Sequence, residues 1–367
     1  MVAMAAAMKT AERYLMRAVA GGFVVAAAVL LPLFSFIDLI EQLDDTGQGN
    51  YHSAQAFAYV GLILPRRLIE LGPFIALLGT TVALGGLASH RELTALRSVG
   101  VSPGGIALAA LKAGVLLILL LAAIDQLVAS PLQQHAFGMR ATALSGDSNA
   151  ESGSGAALWA RRGDRLLRVG ALRLGRIPAD IEIFHFNAEG HLVRYIHADY
   201  AEIHHRAPWR LNTVLVKAFM AGTPVTTRHA SMVWQTFLTP AQIGLLEKPA
   251  ESLSPVQLYG YVQYLRSTGQ SSAVYAVMLW QKLGLPLTAA AMILLAVPFS
   301  IGAPRGASIG SRIALGAIAG LGVYLADQII VNMGLLLDLS PPLIALGPGA
   351  VLLAVALAAL GKSAARR

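Results

Sequence analysis

The chain has 367 residues, of which 56% are hydrophobic and 13% charged, with a mean hydropathy of +0.61 and a net charge of +8. This is far too apolar for an ordinary soluble domain. The basic residues cluster at the ends of apolar runs instead of forming one patch, which argues for membrane topology and against nucleic-acid binding. No cysteine is present, so disulfides and thiolate metal sites are excluded.

In chain order, six runs are long enough to cross a bilayer, which takes about 20 apolar residues. They are Ala18–Ile40, Val60–Ala88, Pro103–Val128, Val274–Phe299, Arg312–Val331 and Pro342–Leu360. The first exceeds the ~7–15 apolar residues of a signal peptide and reads as a retained span. Lys9, Arg13 and Arg17 precede it, Arg91 and Arg97 follow the second, Arg305 and Arg312 follow the fourth, and Lys362, Arg366 and Arg367 follow the sixth. The alternate connections carry Glu41, Asp44 and Asp45 after the first span and Asp338 after the fifth. The positive-inside rule then places both termini in the cytoplasm and the long segment after the third span outside it.

Between the second and third spans, "ASHRELTALRSVGVSP" interrupts the apolar pattern. Ser89 and Glu92 have capping-box spacing. Leu93, Leu96 and Val99 form one stripe, Gly100 ends the helix, and Ser102-Pro103 starts the next. Such a helix either lies on the lipid surface or docks in a groove on a cytoplasmic partner.

Residues 130–273 differ in kind. "GDSNAESGSG" is a small, polar linker. "LWARRGDRLLRVG" reads as a hairpin about Gly163-Asp164, and Asn187–Gly190 is a turn between β-rich runs. "WRLNTVLVKAFM" continues in strand style. At "SPVQLYGYVQYLRSTG" the spacing turns helical, with Ser254 as N-cap and Pro255 at the first position. The expected fold is six transmembrane helices with an inserted all-β domain of sandwich or jelly-roll character. Its parts are residues 1–129 with a short cytoplasmic helix at 89–100, the β insertion with its linking helix at 130–273, and the last three spans at 274–367.

No catalytic or phosphate-cradling motif is present. Gly361-Lys362-Ser363 ends a partial phosphate-loop match, but Ala356 stands where the first glycine belongs, and the remnant reads as the tail of the sixth span. His185, His191, His197, His204 and His205 match no familiar ligand spacing, so no metal and no cofactor is expected. Charges near or within the spans carry more weight, because they are costly in lipid. Arg66, Arg67 and Glu70 lie near the outer end of the second span, Asp125 ends the third, Arg140 lies just beyond it, and Asp327 is deep in the fifth. They read either as interfacial anchors or as the lining of a polar cavity.

The RY pair Arg13-Tyr14, "EQLDDTGQGNY", "ALLGTTVALGGLASHRELTALRSVGVSP", "ALWAR", "FHFNAEGHL", "YVQYLRSTGQSSAVY" and "DQII" together resemble the LptF/LptG family of lipopolysaccharide export permeases nearly end to end. "TGQGNY" and "YLRSTGQ" favour its LptG branch over LptF. The resemblance implies a permease subunit of an inner-membrane ABC exporter, not an enzyme, with a periplasmic jelly-roll domain. It would work with an LptF-like permease, an LptB-like ATPase dimer acting in trans, LptC-like and LptA-like bridge proteins, and lipopolysaccharide. By the same resemblance Ser89, Arg91, Glu92, Leu93, Leu96 and Arg97 form the ATPase-coupling helix, and Arg66 and Arg140 match basic cavity residues. Arg67 and Asp38 complete the expected headgroup cavity. The chain departs from the family at Asp38, where a Lys is usual, and at Asp44-Asp45, where a Lys pair is common. Asp38 is therefore expected to pair with Arg66 or Arg67. Two readings from other classes stand beside this one: a mechanotransmitting ABC subunit that moves no lipid, and a proton-coupled transporter using Asp125 and Asp327.

Overall fold

The computed structural model describes residues 2–145, 158–173, 177–202, 208–220, 223–235, 249–267, 272–301 and 309–365. The predicted linker at 146–155 and His204 and His205 lie outside these. The helices are α1 (Val2–Asp44), α2 (Ser53–Glu70), α3 (Gly72–Ser89), α4 (Glu92–Ser98), α5 (Pro103–Ile124), α6 (Ser130–Ser145), α7 (Pro255–Ser267), α8 (Ala273–Ile301), α9 (Ile309–Leu336) and α10 (Pro341–Ala365). A π-helical turn, Asp125–Ala129, joins α5 to α6. Six stretches are long and apolar enough to cross a membrane: Thr10–Asp44, Gly72–Ser89, Pro103–Leu144, Ala273–Ser300, Ala314–Leu336 and Pro341–Lys362.

The expected second span is not one uninterrupted helix. It breaks at Leu71, between α2 and α3, where Pro73 in the first turn of α3 has no amide hydrogen to continue the ladder. Arg66, Arg67 and Glu70 therefore end a helix and do not sit in the middle of one. The third span, by contrast, runs on beyond Val128, through the π turn and into α6. Gly361-Lys362-Ser363 is helical, within α10.

The chain forms two compact units. The first holds residues 1–38, 63–129 and 276–367. Its core joins Leu15, Val19 and Phe23 of α1, Ile75, Leu77 and Leu84 of α3, Ile106 and Ala110 of α5, and Met292, Ile293 and Val297 of α8. Lipid offers no hydrophobic drive to pair helices, so close approach through small residues does that work. Gly22 of α1 meets Gly79 of α3 so closely that a Cβ on Gly22 would lie 2.2 Å from the Gly79 carbonyl oxygen. Gly114 of α5 gives the same room to Ile293 of α8.

The second unit holds residues 39–62 and 130–275. Its six strands are β1 (Leu158–Arg162), β2 (Arg165–Arg173), β3 (Ile177–Phe186), β4 (Leu192–Glu202), β5 (Trp209–Met220) and β6 (Thr223–Trp234). They pair antiparallel in sequential order as one sheet. The inserted all-β domain is thus present. Among the described residues its strands form a meander, and two facing sheets of a sandwich or jelly roll are not among them. The strands read from the sequence stop at β5; β6 follows Gly222 and carries Pro224 at its second position. The Gly163-Asp164 hairpin joins β1 to β2, with Gly163 at φ +59°. The β3–β4 turn is closed by Asn187, whose side chain accepts from the His191 amide at 2.7 Å.

Register places apolar side chains of successive strands in rows on one face. Ala160, Leu167, Ile183, Ile196 and Val216 form one row, and Val169, Ile181, Ala198 and Val214 another. Tyr261, Tyr264 and Leu265 of α7 pack on this core. α7 starts at the predicted cap and improves on it. The Gln257 amide donates to Ser254 Oγ at 3.3 Å while Gln257 Oε1 accepts from the Ser254 amide at 3.0 Å, a reciprocal capping box.

Candidate functional site

Six charged side chains of the first unit make one alternating network. Arg67 of α2 directs Nε to Asp38 Oδ2 at 2.7 Å and Nη2 to Asp38 Oδ1, a two-pronged grip on a buried carboxylate of α1. Its Nη1 reaches Glu70 Oε2 at 2.7 Å. Arg66 bonds Glu70 Oε1 at 2.9 Å and lies 3.6 Å from Asp125 Oδ1. Lys282 of α8 completes the series at 3.4 Å from each Asp125 oxygen. Three cations face three carboxylates, so the network is formally neutral. That pairing offsets the cost of placing so many charged side chains beside apolar helices.

The local reasons are legible. Arg66 and Arg67 are adjacent on α2, so their side chains diverge, and Glu70 lies one turn on where both guanidinium groups reach it. Asp125 opens the π turn, a local break of the regular helix of the kind that recurs at functional sites. Of the two partners expected for Asp38, the structure selects Arg67. Lys282 was missed by sequence reasoning, although a lone lysine within the apolar run of α8 was a signal of the same kind as Asp125.

Arg140 belongs to the second unit and makes its own site there. It pairs with Asp45, and its guanidinium carbon lies 6.0 Å from the Tyr59 ring centroid. Its Nε is buried with no hydrogen-bond partner. The "TGQGNY" loop builds the rest. Gly47 and Gly49 take positive φ, the Asn50 amide donates to the Ala143 carbonyl at 2.8 Å, and Tyr51 is fully buried with its hydroxyl donating to Gln42 at 3.2 Å. Asp45, at the start of this loop, thus holds Arg140 through an ion pair.

The short helix α4 is present but is not capped as expected. Ser89 is the last residue of α3, and its Oγ donates to the Gly86 carbonyl at 2.7 Å. Arg91 stands at the N-cap with φ +60°, a left-handed conformation that turns the chain between Ser89 and Glu92 and leaves no capping box. Glu92 instead accepts from the Tyr14 hydroxyl of α1 at 2.5 Å. Leu93 is buried in the core and Leu96 packs against it, whereas Val99 is 75% exposed and leaves the predicted stripe. Arg91 and Arg97 are exposed. The end of α4 is a Schellman motif, with Gly100 at φ +99°, its amide donating to the Arg97 carbonyl and the Val101 amide to the Leu96 carbonyl. Ser102 then caps α5, its Oγ accepting from the Gly105 amide at 3.0 Å.

On the inserted sheet, His197 lies 3.1 Å from Asp180, while His185 and His191 join no metal-like group, and none occurs among the described residues.

Six apolar helices packed through glycine contacts, a neutral charge network and an inserted antiparallel sheet define the class of polytopic membrane proteins. The family described as "Lipopolysaccharide export system permease LptF/LptG" matches residues 13–362, and the chain belongs to it. The chain is 32% identical over 322 residues to lipopolysaccharide export system permease protein LptG of Haemophilus influenzae, covering 88% of this chain and 89% of that one. It is 31% identical over 342 residues to the protein of that name from Escherichia coli K12, covering 92% and 94%.

Proposed function

We propose that this chain is the LptG-type half of an inner-membrane exporter of lipopolysaccharide, paired with an LptF-like subunit and driven in trans by an LptB-like ATPase dimer. LptC-like and LptA-like bridge proteins receive the lipid. Both termini face the cytoplasm, and residues 130–273 form the periplasmic body. The observation that carries the reading, beside family membership, is the pair of guanidinium groups Arg66 and Arg67, held ready among apolar spans by Asp38, Glu70 and Asp125.

Arginine binds carboxylate and phosphate with the same planar fork. A phosphorylated headgroup entering the site exchanges with Asp38 or Glu70 for those forks. The carboxylates keep the arginines ordered and compensated between substrates, so the empty site is not left with a net positive charge in lipid. Arg140, held by Asp45, is a further headgroup ligand in this reading. The membrane faces left open within the chain suit a partner subunit. The most apolar stretches of α1 and α9 are 17% and 11% buried, against 67% for α3.

Energy enters through α4. Leu93 and Leu96 seat it on the membrane core, and Arg91, Glu92 and Arg97 lie along its outer side toward the ATPase. The Tyr14–Glu92 bond ties that side to α1, so a push on α4 reaches the span that carries Asp38. The deciding experiment is ATP-driven release of lipopolysaccharide from proteoliposomes holding the whole complex. Release that depends on ATP and falls in R66Q/R67Q supports the reading. ATP hydrolysis with no lipid moved would make the chain a mechanotransmitter, and transport driven by a proton gradient alone would make it a secondary transporter.

A further inference from the structure

On the inserted sheet, cations and acids are matched on one face and unmatched on the other. On the first, Arg168 is paired with Glu182 at 2.7 Å and Asp180 at 3.2 Å, and Asp180 also meets His197. On the second, the register sets Arg162 of β1 opposite Arg165 of β2, Arg165 opposite His185 of β3, and His185 opposite Arg194 of β4. Directly paired residues share a face, so these four stand side by side across four strands, next to the apolar row of Ala160, Leu167, Ile183 and Ile196. At about 4.8 Å per strand the row is roughly 14 Å long. Like charges directly opposite one another oppose sheet formation. A row of this kind is not explained by folding.

Nothing among the described residues neutralises it. Arg162, Arg165 and Arg194 are exposed and make no ion pair there. His185 has a buried Nε2 with no hydrogen-bond partner. Among the described residues, Asp164 in the β1–β2 turn is the acid whose charge reaches His185, and it is outweighed by Arg165 and Arg194 on either side.

We propose that Arg162, Arg165, His185 and Arg194 form a phosphate-binding row on the β domain, long enough to engage two phosphoryl groups of one ligand. The guanidinium forks take the oxygens, and His185 donates from the nitrogen that now lacks a partner, taking up a proton as the anion binds. The phosphate row rests on the sheet alone, and the choice of a sugar headgroup as one candidate ligand rests on the export reading. Two sources share this chemistry, a phosphorylated sugar headgroup and free inorganic phosphate.

The test uses full-length protein in nanodiscs with 15N-labelled histidine, the His185 ring signals being assigned with H185Q. The probes are a glucosamine disaccharide bisphosphate, the unphosphorylated disaccharide and inorganic phosphate. The expected result is that the bisphosphate moves the His185 signals and raises the pH at which they titrate, while the unphosphorylated sugar does neither. R165Q/R194Q should weaken the apparent affinity at least tenfold, and R165K/R194K, which retains the charge but not the fork and serves as the folding control, should fall between it and the wild type. Tighter binding of the bisphosphate than of inorganic phosphate identifies a sugar headgroup, and equal binding identifies a free-phosphate site. Unmoved His185 signals at saturating bisphosphate, or equal responses to both sugars, overturn the proposal. Because no ATPase and no transport step is involved, failure of export leaves this result untouched.

Discussion

Arg67 holds Asp38 through Nε and Nη2 together, joining the end of α2 to the C-terminal part of α1. The buried Asp38 carboxylate thus neutralises one guanidinium of the site, and Arg67 is available to a phosphate only if Asp38 yields.

That exchange makes a prediction for Asp38→Asn. The amide keeps the shape but gives up the charge, so Arg67 is held less tightly, at a stability cost of roughly 1–3 kcal/mol for a part-buried charged hydrogen bond. Lipopolysaccharide retained per purified complex should rise, and D38N/R67Q should bring it back to the wild-type level or below. Unchanged occupancy in D38N would show that Asp38 does not restrain the headgroup ligand.

Lys282 gives a second test. Replacing it by Met leaves Asp125 with Arg66 alone, at 3.6 Å. Arg66 is then drawn to Asp125 and away from Glu70, and lipid occupancy should fall while assembly with the ATPase persists. Occupancy measured beside a pull-down of the ATPase separates that outcome from simple misfolding, in which both would drop.

At α4, Arg91 can be replaced by Gly without disturbing the turn. A left-handed residue with a Cβ is disfavoured by about 1–2 kcal/mol, and glycine escapes that cost while adding flexibility to the unfolded chain. Thermal stability of the R91G membrane complex should therefore change little. If the exposed guanidinium contacts the ATPase, affinity for it should fall several-fold. The companion Tyr14→Phe removes only the bond to Glu92 and should uncouple ATP hydrolysis from lipid release more than it weakens docking. Equal coupling in Y14F would remove the α1–α4 tie from the mechanism.

Helix packing is tested at Gly22. Even Ala would place a methyl 2.2 Å from the Gly79 carbonyl, against backbone that cannot move aside as a side chain would. Gly22→Ala should lower stability by about 1–3 kcal/mol, the usual cost of overpacking, read as a lower midpoint of thermal unfolding in detergent. Gly21→Ala, next to it with open space around its Cβ, is the control and should be near neutral.

The β domain carries a pH signature. Burial, and then the charges of Arg165 and Arg194, hold the His185 imidazole below its ordinary value of 6.5. The unfolded chain therefore binds this proton at a higher pH than the folded one. Stability falls as pH drops from about 6.5 toward the lowered folded value, and is level above about 6.5. His185→Gln should flatten that slope. A slope of the same size in H185Q would assign it to another group.

Several features were decided by the sequence alone, because they depend on local order. Apolar run length fixed six crossings, and the alternation of Lys and Arg between connections set the expected topology. Ser102-Pro103, Ser254-Pro255, Gly100 and Gly163-Asp164 marked helix and hairpin ends correctly, since a cap or a turn involves residues only a few positions apart. Where local order was ambiguous, tertiary contacts ruled. Ser89-x-x-Glu92 has capping-box spacing, yet the left-handed Arg91 ends α3 before it and the Glu92 carboxylate goes to Tyr14, 78 positions away. The charges near the spans could be listed from the sequence but not paired. Asp38 with Arg67, Asp125 with Lys282, and Arg140 with Asp45 are separated by 29, 157 and 95 positions, and only the packing of helices brings them together. The basic row on the sheet has the same origin. Arg162, Arg165, His185 and Arg194 are unremarkable in sequence, and strand register alone, set by burying Leu167, Ile183 and Ile196 on one face, lines them up.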